Sequence, residues 1–368
     1  QMFGDRMVIA NATGCSSIWG GPLPAIPYTT NDLGHGPAWS NSLFEDNAEF
    51  GLGMLIANKY RRAKLVEKTR DYLGADDMTA CADALAGVKM DDDLKEALAK
   101  WADGANLSSG SRERAEALKA QLEAHKSKIP LLTELWENKE LLVKPSQWII
   151  GGDGWGYDIG YAGIDHVIAT GEDVNILVMD NEVYSNTGGQ ASKATPTAAI
   201  AKFAAGGKVQ GKKDLGAMAM TYGNVYVAQI ASGANAQQTI KAFREAEEYP
   251  GPSLIIAYTP CINHGLTGGM FMTLEEAKEA VQSGYWSLYR YNPDNAEKDK
   301  PAMELDFKKP DFSTMKDFMM KQNRFSSLKA VRGDKAEELF DKTVGFAKKR
   351  FLYYADLSGQ GEKIRENI

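Results

Sequence analysis

The segment Gly151-Gly152-Asp153-Gly154-Trp155-Gly156 joins a short apolar run, Trp148-Ile149-Ile150, to a helix-like stretch that starts at Tyr157. Glycines between a strand and a helix let a phosphate approach the backbone, where the helix start favours negative charge. The spacing of Gly152, Gly154 and Gly156 is not the Gly-x-Gly-x-x-Gly of a dinucleotide fold, and no Gly-Lys-Ser/Thr ending follows. The loop carries a carboxylate instead. Asp153 beside a phosphate is repulsive unless a cation lies between them. Mg2+ takes oxygen ligands, commonly one or two carboxylates together with phosphate oxygens, so Asp153 is a candidate metal ligand. Asn181 follows 28 residues later, in Met179-Asp180-Asn181-Glu182-Val183-Tyr184-Ser185-Asn186-Thr187-Gly188-Gly189-Gln190. Its amide oxygen suits the same ion, as does a backbone carbonyl such as that of Val183. The Gly188-Gly189 pair lets this second loop turn sharply.

The elements that must position these loops can be read from periodicity. Residues 5–11 form a short strand, and a Gly/Pro-rich loop follows from Gly14 to Pro37. Ser40 or Asn41 is placed to cap a helix running through Phe44, Ala48 and Leu52 towards Tyr60. Residues 61–140 are charged and rich in Ala and Leu, with helical periodicity over 91–103 and 111–127, which predicts a helical insertion. Strands are then expected near 148–150, 174–179, 224–230 and 253–258, and helices over 157–169, 235–248 and 333–355. This alternation predicts an α/β fold with a doubly wound, mostly parallel sheet. Ligands of such sheets sit at the carboxyl ends of the strands. The loops 151–156, 180–190 and 259–269 all fall there.

Bulk properties narrow the classes. The chain has 368 residues, 43% hydrophobic and 25% charged, with a net charge of −7. No basic patch suggests a nucleic-acid partner, and Lys208–Lys213 reads as a solvated Gly-rich loop. No apolar run approaches the ~20 residues that span a bilayer, and no basic-then-apolar signal pattern is read at the start of the sequence. The first residue is Gln1, which suggests a fragment or processed product. Three widely spaced cysteines, Cys15, Cys81 and Cys261, point to a reducing, cytoplasmic compartment. Cys81 reads as buried and apolar. Met218, Met220 and Met270–Met272 read as packing residues, and His35, His125, His166 and His264 as structural or exposed. His264 is the one placed in a candidate site loop.

Gly-Asp-Gly at one strand end, with Asn at the next near this spacing, resembles the motif that holds the Mg2+-diphosphate of thiamine diphosphate (TPP). The match runs further. The stretches 152–160 and 179–190 resemble pyruvate:ferredoxin (or flavodoxin) oxidoreductase. So do Ala10-Asn11-Ala12-Thr13-Gly14-Cys15-Ser16-Ser17-Ile18, the run Asn41 to Phe50, and Tyr258-Thr259-Pro260-Cys261-Ile262-Asn263-His264-Gly265. These blocks span nearly the whole chain in family order. The resemblance implies a TPP-binding domain of the diphosphate type over 1–368. Within it lie a first strand, Cys15 loop and helix (1–60), the helical insertion (61–145), a βα core (146–290) and a C-terminal extension (291–368).

The resemblance also implies roles. Mg2+ would be held by Asp153, Asn181 and the Val183 carbonyl. The cofactor would be contacted by Gly152, Asp153, Gly154 and Trp155, and by Asn181, Glu182, Val183, Tyr184, Ser185 and Asn186. Asn186 would stand near the reacting centre as the catalytic side chain, stabilising developing charge. Cys15 and Cys261 would supply two of four ligands to a 4Fe–4S cluster, which needs four thiolates; the family places the other two upstream of residue 1. The implied reaction converts pyruvate and coenzyme A to acetyl-CoA and CO2, with electrons leaving through iron–sulfur clusters to ferredoxin or flavodoxin. The implied assembly is a homo-oligomer completed by upstream domains, including the one that binds the cofactor's pyrimidine. Three other readings remain open: a non-catalytic diphosphate-binding module, a non-oxidative TPP enzyme such as a decarboxylase, and an oxidoreductase for another 2-oxoacid.

Overall fold

The computed structural model describes residues 2–21, 25–74, 92–125 and 129–366. Cys81, and the ends of the helices expected over 91–103 and 111–127, lie outside them. The chain divides into two compact units. One comprises Gln1–Val8, Thr29–Ala38 and Leu52–Gln147, the other Ile9–Tyr28, Trp39–Gly51 and Trp148–Ile368.

The first unit is helical, as the periodicity of 61–140 predicts. It contains Asp92–Asp103, Ser111–His125 and Pro130–Glu137, with the part of Asn47–Gly74 from Leu52 onward. Leu94, Leu98 and Trp101 of the first helix, and Ala115, Leu118 and Leu122 of the second, recur at three- and four-residue intervals and are buried together. Arg62 is buried among them. Its guanidinium donates to the carbonyls of Val143 (2.8 Å), Ala105 (2.7 Å) and Leu141, which satisfies the charge that burial would otherwise penalise.

The second unit holds most of an eight-stranded sheet, apart from the first residues of three strands. Its strands are β1 (Met7–Ala12), β2 (Ala38–Ser42), β3 (Ser146–Gly152), β4 (Asn175–Asp180), β5 (Tyr226–Ile230), β6 (Ser253–Tyr258), β7 (Tyr289–Tyr291) and β8 (Met303–Leu305). Their order is β2-β1-β3-β4-β6-β5-β7-β8. The four strands β3, β4, β6 and β5 run parallel to one another, whereas β7 pairs antiparallel with β5 and β8 antiparallel with β7. The fold is thus α/β, with a mostly parallel sheet. The central strands read WII, ILVM and LIIA, the near-continuous apolar runs of strands covered on both faces. Register aligns their carboxyl ends. Gly152 pairs with Met179, Met179 with Ala257 and Asp180 with Tyr258. That alignment brings the loops after β3, β4 and β6 to one edge.

Local expectations differ in three places. Ser40 and Asn41 lie in β2 and cap no helix. Asn41 instead accepts from Asn11 Nδ2 (3.0 Å) and donates to Thr13 Oγ1 (2.7 Å), tying down the loop after β1. The helix begins at Asn47, whose amide donates to the carbonyls of Ala10 (3.3 Å) and Ile150 (3.1 Å), and it continues past Tyr60 to Gly74. The helix expected from Tyr157 is preceded by a π-helical turn, Gly154–Ile159, and begins at Tyr161. Such turns concentrate at functional sites. Finally, β7 and β8 have three residues each, too few for a period of two to register in sequence.

Candidate diphosphate site

Asp153 stands at the end of β3 with its side chain almost wholly removed from solvent, at 1% exposure. Ser192 Oγ donates to its Oδ2. Burial, and then the nearby Asp180, push the carboxyl well above its ordinary value. A buried carboxylate with one hydroxyl donor needs a cation to remain ionised. The next residue is glycine because the ring of Tyr184 occupies the space of a side chain there. A Cβ on Gly154 would lie 2.5 Å from that ring. Tyr184 in turn donates to the Gly154 carbonyl (3.2 Å), locking the loop after β4 onto the loop after β3.

Asn181 follows β4. One terminal atom of its amide faces both Asp153 Oδ1 and the Val183 carbonyl oxygen, the latter at 2.9 Å. With nitrogen in that place the amide donates to both. With oxygen there, three oxygens of the kind Mg2+ takes face one another, and they must move apart to admit the ion. The donor set therefore fits Mg2+ with the amide turned one way and closes on itself with the amide turned the other. The loop holding these groups is tightly made. Gly188 (φ 125°) and Gly189 (φ 83°) reverse the chain, and Gly189 N–H donates to the Tyr184 carbonyl (2.7 Å).

His264 fixes Asn181 from behind. Its Nδ1 faces the Cys261 N–H (3.5 Å), so Nε2 carries the proton and donates to the Asn181 carbonyl (2.7 Å). Burial, and then Arg324, push the imidazole down to about 3, and it is neutral. The residue expected to be structural or exposed is structural, and it joins the loop after β6 to the loop after β4.

Glu182 occupies a left-handed conformation (φ 61°). Such a backbone is strained for a side chain with a Cβ and persists where surroundings over-determine it. They do here. Its Oε1 meets Lys212 Nζ (2.9 Å), while its Oε2 accepts from Arg324 Nη2 (2.6 Å) and Tyr285 Oη (2.6 Å). Burial alone would raise this carboxyl, but Lys212 and Arg324 hold it well below the usual range. Lys212 also binds Asp180 Oδ2 (2.7 Å), which accepts from Tyr157 Oη (2.6 Å). Every charge in this cluster is paired and buried. The Lys208–Lys213 segment, expected to be a solvated loop, is exposed over 209–211 but turns Lys212 inward, its side chain 8% exposed. Lys208 Nζ donates to the carbonyls of Ser192 (2.9 Å) and Thr195 (2.6 Å).

The sequence-derived site residues are distributed as follows. Gly152, Asp153, Gly154, Asn181, Val183 and Tyr184 come together at the strand ends. Trp155 is fully buried, and its Nε1 has no partner among the described residues. Glu182 turns its carboxylate away into the charge cluster. Ser185 Oγ lies 3.0 Å from Cys261 Sγ and accepts from Asn263 Nδ2 (2.7 Å). Asn186 is exposed. Sequence reasoning misses Ser192, Lys212, Tyr285 and Arg324; only the basic run 208–213 gives a signal, and by composition it reads as solvated.

The expected metal inventory is corrected. Among the described residues, no group of three or more His, Cys, Asp or Glu side chains could hold a metal ion. Cys15 is exposed, whereas Cys261 is buried with its thiol against Ser185. A 4Fe–4S cluster requires four thiolates gathered at one point. The expectation that this chain supplies part of one, through Cys15 and Cys261, is withdrawn.

Two loops at the carboxyl ends of neighbouring parallel strands are the place where sheets of this class bind ligands, and part of the chain matches a cofactor-binding family there. Residues 141–257 match the family "Thiamine pyrophosphate enzyme, C-terminal TPP binding domain". The particular relatives are oxidoreductases. The chain is 55% identical over 360 residues to the pyruvate-flavodoxin oxidoreductase of Klebsiella pneumoniae, covering 98% of this chain and 30% of that protein. It is 53% identical over 363 residues to the pyruvate:ferredoxin oxidoreductase of Moorella thermoacetica, covering 97% and 30%. It is 47% identical over 354 residues to the mitochondrial pyruvate dehydrogenase [NADP(+)] of Euglena gracilis, covering 96% and 19%. The resemblance seen in the motif blocks is borne out along almost the whole chain. The chain spans about 30% of the length of the first two relatives. No helix among the described residues is long and apolar enough to cross a membrane.

Proposed function

We propose that this chain holds the diphosphate of TPP through a shared divalent cation, and so forms one half of the cofactor site of a pyruvate oxidoreductase. The observation that carries this reading is the convergence of Asp153 Oδ1, the Asn181 amide and the Val183 carbonyl at the ends of two parallel strands. The set contains one acidic side chain. Mg2+ characteristically combines one or two carboxylates with phosphate oxygens, so the diphosphate itself would complete the shell. When bound, TPP supplies carbanion stabilisation at its thiazolium. The residues of this chain do the rest. Asp153, Asn181 and Val183 hold the cation, and Gly152–Trp155 and Asn181–Asn186 line the diphosphate. Asn186, exposed at the loop tip, offers an amide to charge developing on a bound substrate.

The whole protein would convert pyruvate and coenzyme A to acetyl-CoA and CO2, and would complete its site with segments beyond this chain. The names of the relatives support pyruvate as substrate. They differ in the acceptor named: flavodoxin, ferredoxin and NADP+. Acceptor choice is therefore assigned to segments outside this region, with ferredoxin or flavodoxin favoured by the higher identities. The test is the affinity of the intact protein for TPP with and without Mg2+, by titration calorimetry. Asp153→Ala should weaken Mg2+-dependent binding at least tenfold, about 1.4 kcal/mol. Equal affinity in the variant would overturn the proposal.

A further inference from the structure

A second cavity lies in the same unit, and the reaction proposed above does not use it. The helix Lys335–Leu357 presents Thr343, Phe346, Ala347, Arg350 and Tyr353 along one side, at the three- and four-residue spacing of a helical stripe. With Thr197, Lys212 and Asp214 they line a cavity of about 470 Å3, within the range of small-molecule sites.

Its charges are unequally committed. Lys212 is paired with Asp180 and Glu182. Asp214 accepts from Tyr354 Oη (2.6 Å) and from the Ala217 N–H (2.9 Å). The Arg350 guanidinium, by contrast, has neither a hydrogen bond nor an ion pair among the described residues. Its electrostatic neighbours are Tyr354, Asp214, Tyr157 and Glu182, whose acids are already engaged. Lys349 beside it lines the same cavity and is exposed. Phe346 and Tyr353 flank Arg350 at 41% and 47% exposure. A planar guanidinium with free donors matches phosphate oxygens in paired hydrogen bonds. Phe346, with Lys342 Nζ 5.6 Å from its ring centroid, and Tyr353 each keep part of a ring exposed, which offers a stacking surface for a flat ring.

We propose that this cavity binds a phosphate ester of the nucleoside monophosphate class, with the phosphate on Arg350 and Lys349 and the base against Phe346 and Tyr353. Glu182, whose carboxylate is committed to Lys212, Arg324 and Tyr285, is shared with the loop after β4, whereas none of the proposed cation ligands Asp153, Asn181 and Val183 lines this cavity. The experiment is equilibrium dialysis of the intact protein with adenosine monophosphate and, separately, with inorganic phosphate. Excess TPP and Mg2+ are present to fill the other site. Saturable binding of one adenosine monophosphate per chain is expected. It should weaken at least tenfold in Arg350→Ala, less in Arg350→Lys, and in the same direction in the exposed Lys349→Ala. Phe346→Ala should weaken the nucleotide and leave inorganic phosphate unchanged. Asp153→Ala should leave both ligands unchanged, which separates this proposal from the one above. Absence of saturable binding in the millimolar range, or binding unaffected by Arg350→Ala, would overturn it.

Discussion

His264 Nε2 donates to the Asn181 carbonyl across 2.7 Å, so a neutral, buried imidazole in the loop after β6 sets the position of a proposed cation ligand in the loop after β4. The bond satisfies a carbonyl at the start of a loop that turns away from the sheet. Replacing His264 by Phe keeps most of the volume and orphans that carbonyl. An unsatisfied buried acceptor costs about 1–3 kcal/mol. Mg2+-dependent TPP affinity is expected to fall roughly five- to a hundredfold, with the corresponding loss in melting temperature limited to a few degrees. His264→Gln, which retains a donor, should recover part of the affinity. Calorimetric titration of both variants checks this, and equal affinities for the Phe variant and the parent would rule the clasp out.

Lys212 is the second positioning residue. It bridges Asp180 and Glu182, and its removal leaves two buried carboxylates with one cation, Arg324, which pairs with Glu182 alone. Breaking one partner of a buried ion pair destabilises by about 3–5 kcal/mol. Lys212→Met is expected to lose that amount in urea unfolding of the intact protein. The double variant Lys212→Met, Glu182→Gln should lose less than the sum of the single losses, since the two side chains touch. Additive losses would show that the pair is not coupled. High salt should leave the parent's stability nearly unchanged, because the pair is shielded from the ionic atmosphere.

These two residues mark how far the sequence can be read. Asp153 and Asn181 are legible because a carboxylate in a phosphate-type glycine loop has one common physical reason, and because the strand pattern places both at carboxyl ends. The central strands are legible for the same cause that buries them: WII, ILVM and LIIA admit no other role. The antiparallel edge of β7 and β8 is not, since three residues carry no periodicity and their pairing is decided by partners elsewhere in the chain. Asn41 misleads because an Asn before an apolar run is a common helix cap, and its true partners, Asn11 and Thr13, are about thirty positions away. Lys212 misleads for a related reason. A lysine in a Gly-rich basic run is usually solvated, and only the long-range meeting with Asp180 and Glu182 makes it a core residue. Cys15 and Cys261 are paired by family resemblance alone, and the described residues assemble no metal-binding group around them.

The charge cluster extends to Glu276, and that gives a pH dependence. Arg324 Nε donates to Gln322 Oε1 (2.7 Å), and Gln322 Nε2 donates to Glu276 Oε1 (2.5 Å). Burial raises the Glu276 carboxyl to about 7, against the opposing bond from Gln322. A folded-state value above the unfolded one means that the native protein holds this proton more tightly. The associated stability is fully present below about 4.5 and is lost as pH rises through about 7. A tenfold difference in proton affinity between the folded and unfolded chains corresponds to about 1.4 kcal/mol; partial solvent screening reduces the total to about 1–2 kcal/mol. Glu276→Gln keeps an oxygen to accept from Gln322 and has no proton to lose. The variant is therefore expected to match the parent at pH 5 and to exceed it at pH 8 by that amount, in urea unfolding at the two pH values. A variant less stable than the parent at pH 8 would mean that Glu276 is ionised and stabilising there, and that the chain from Glu182 through Arg324 and Gln322 ends on a paired charge instead of a neutral acid.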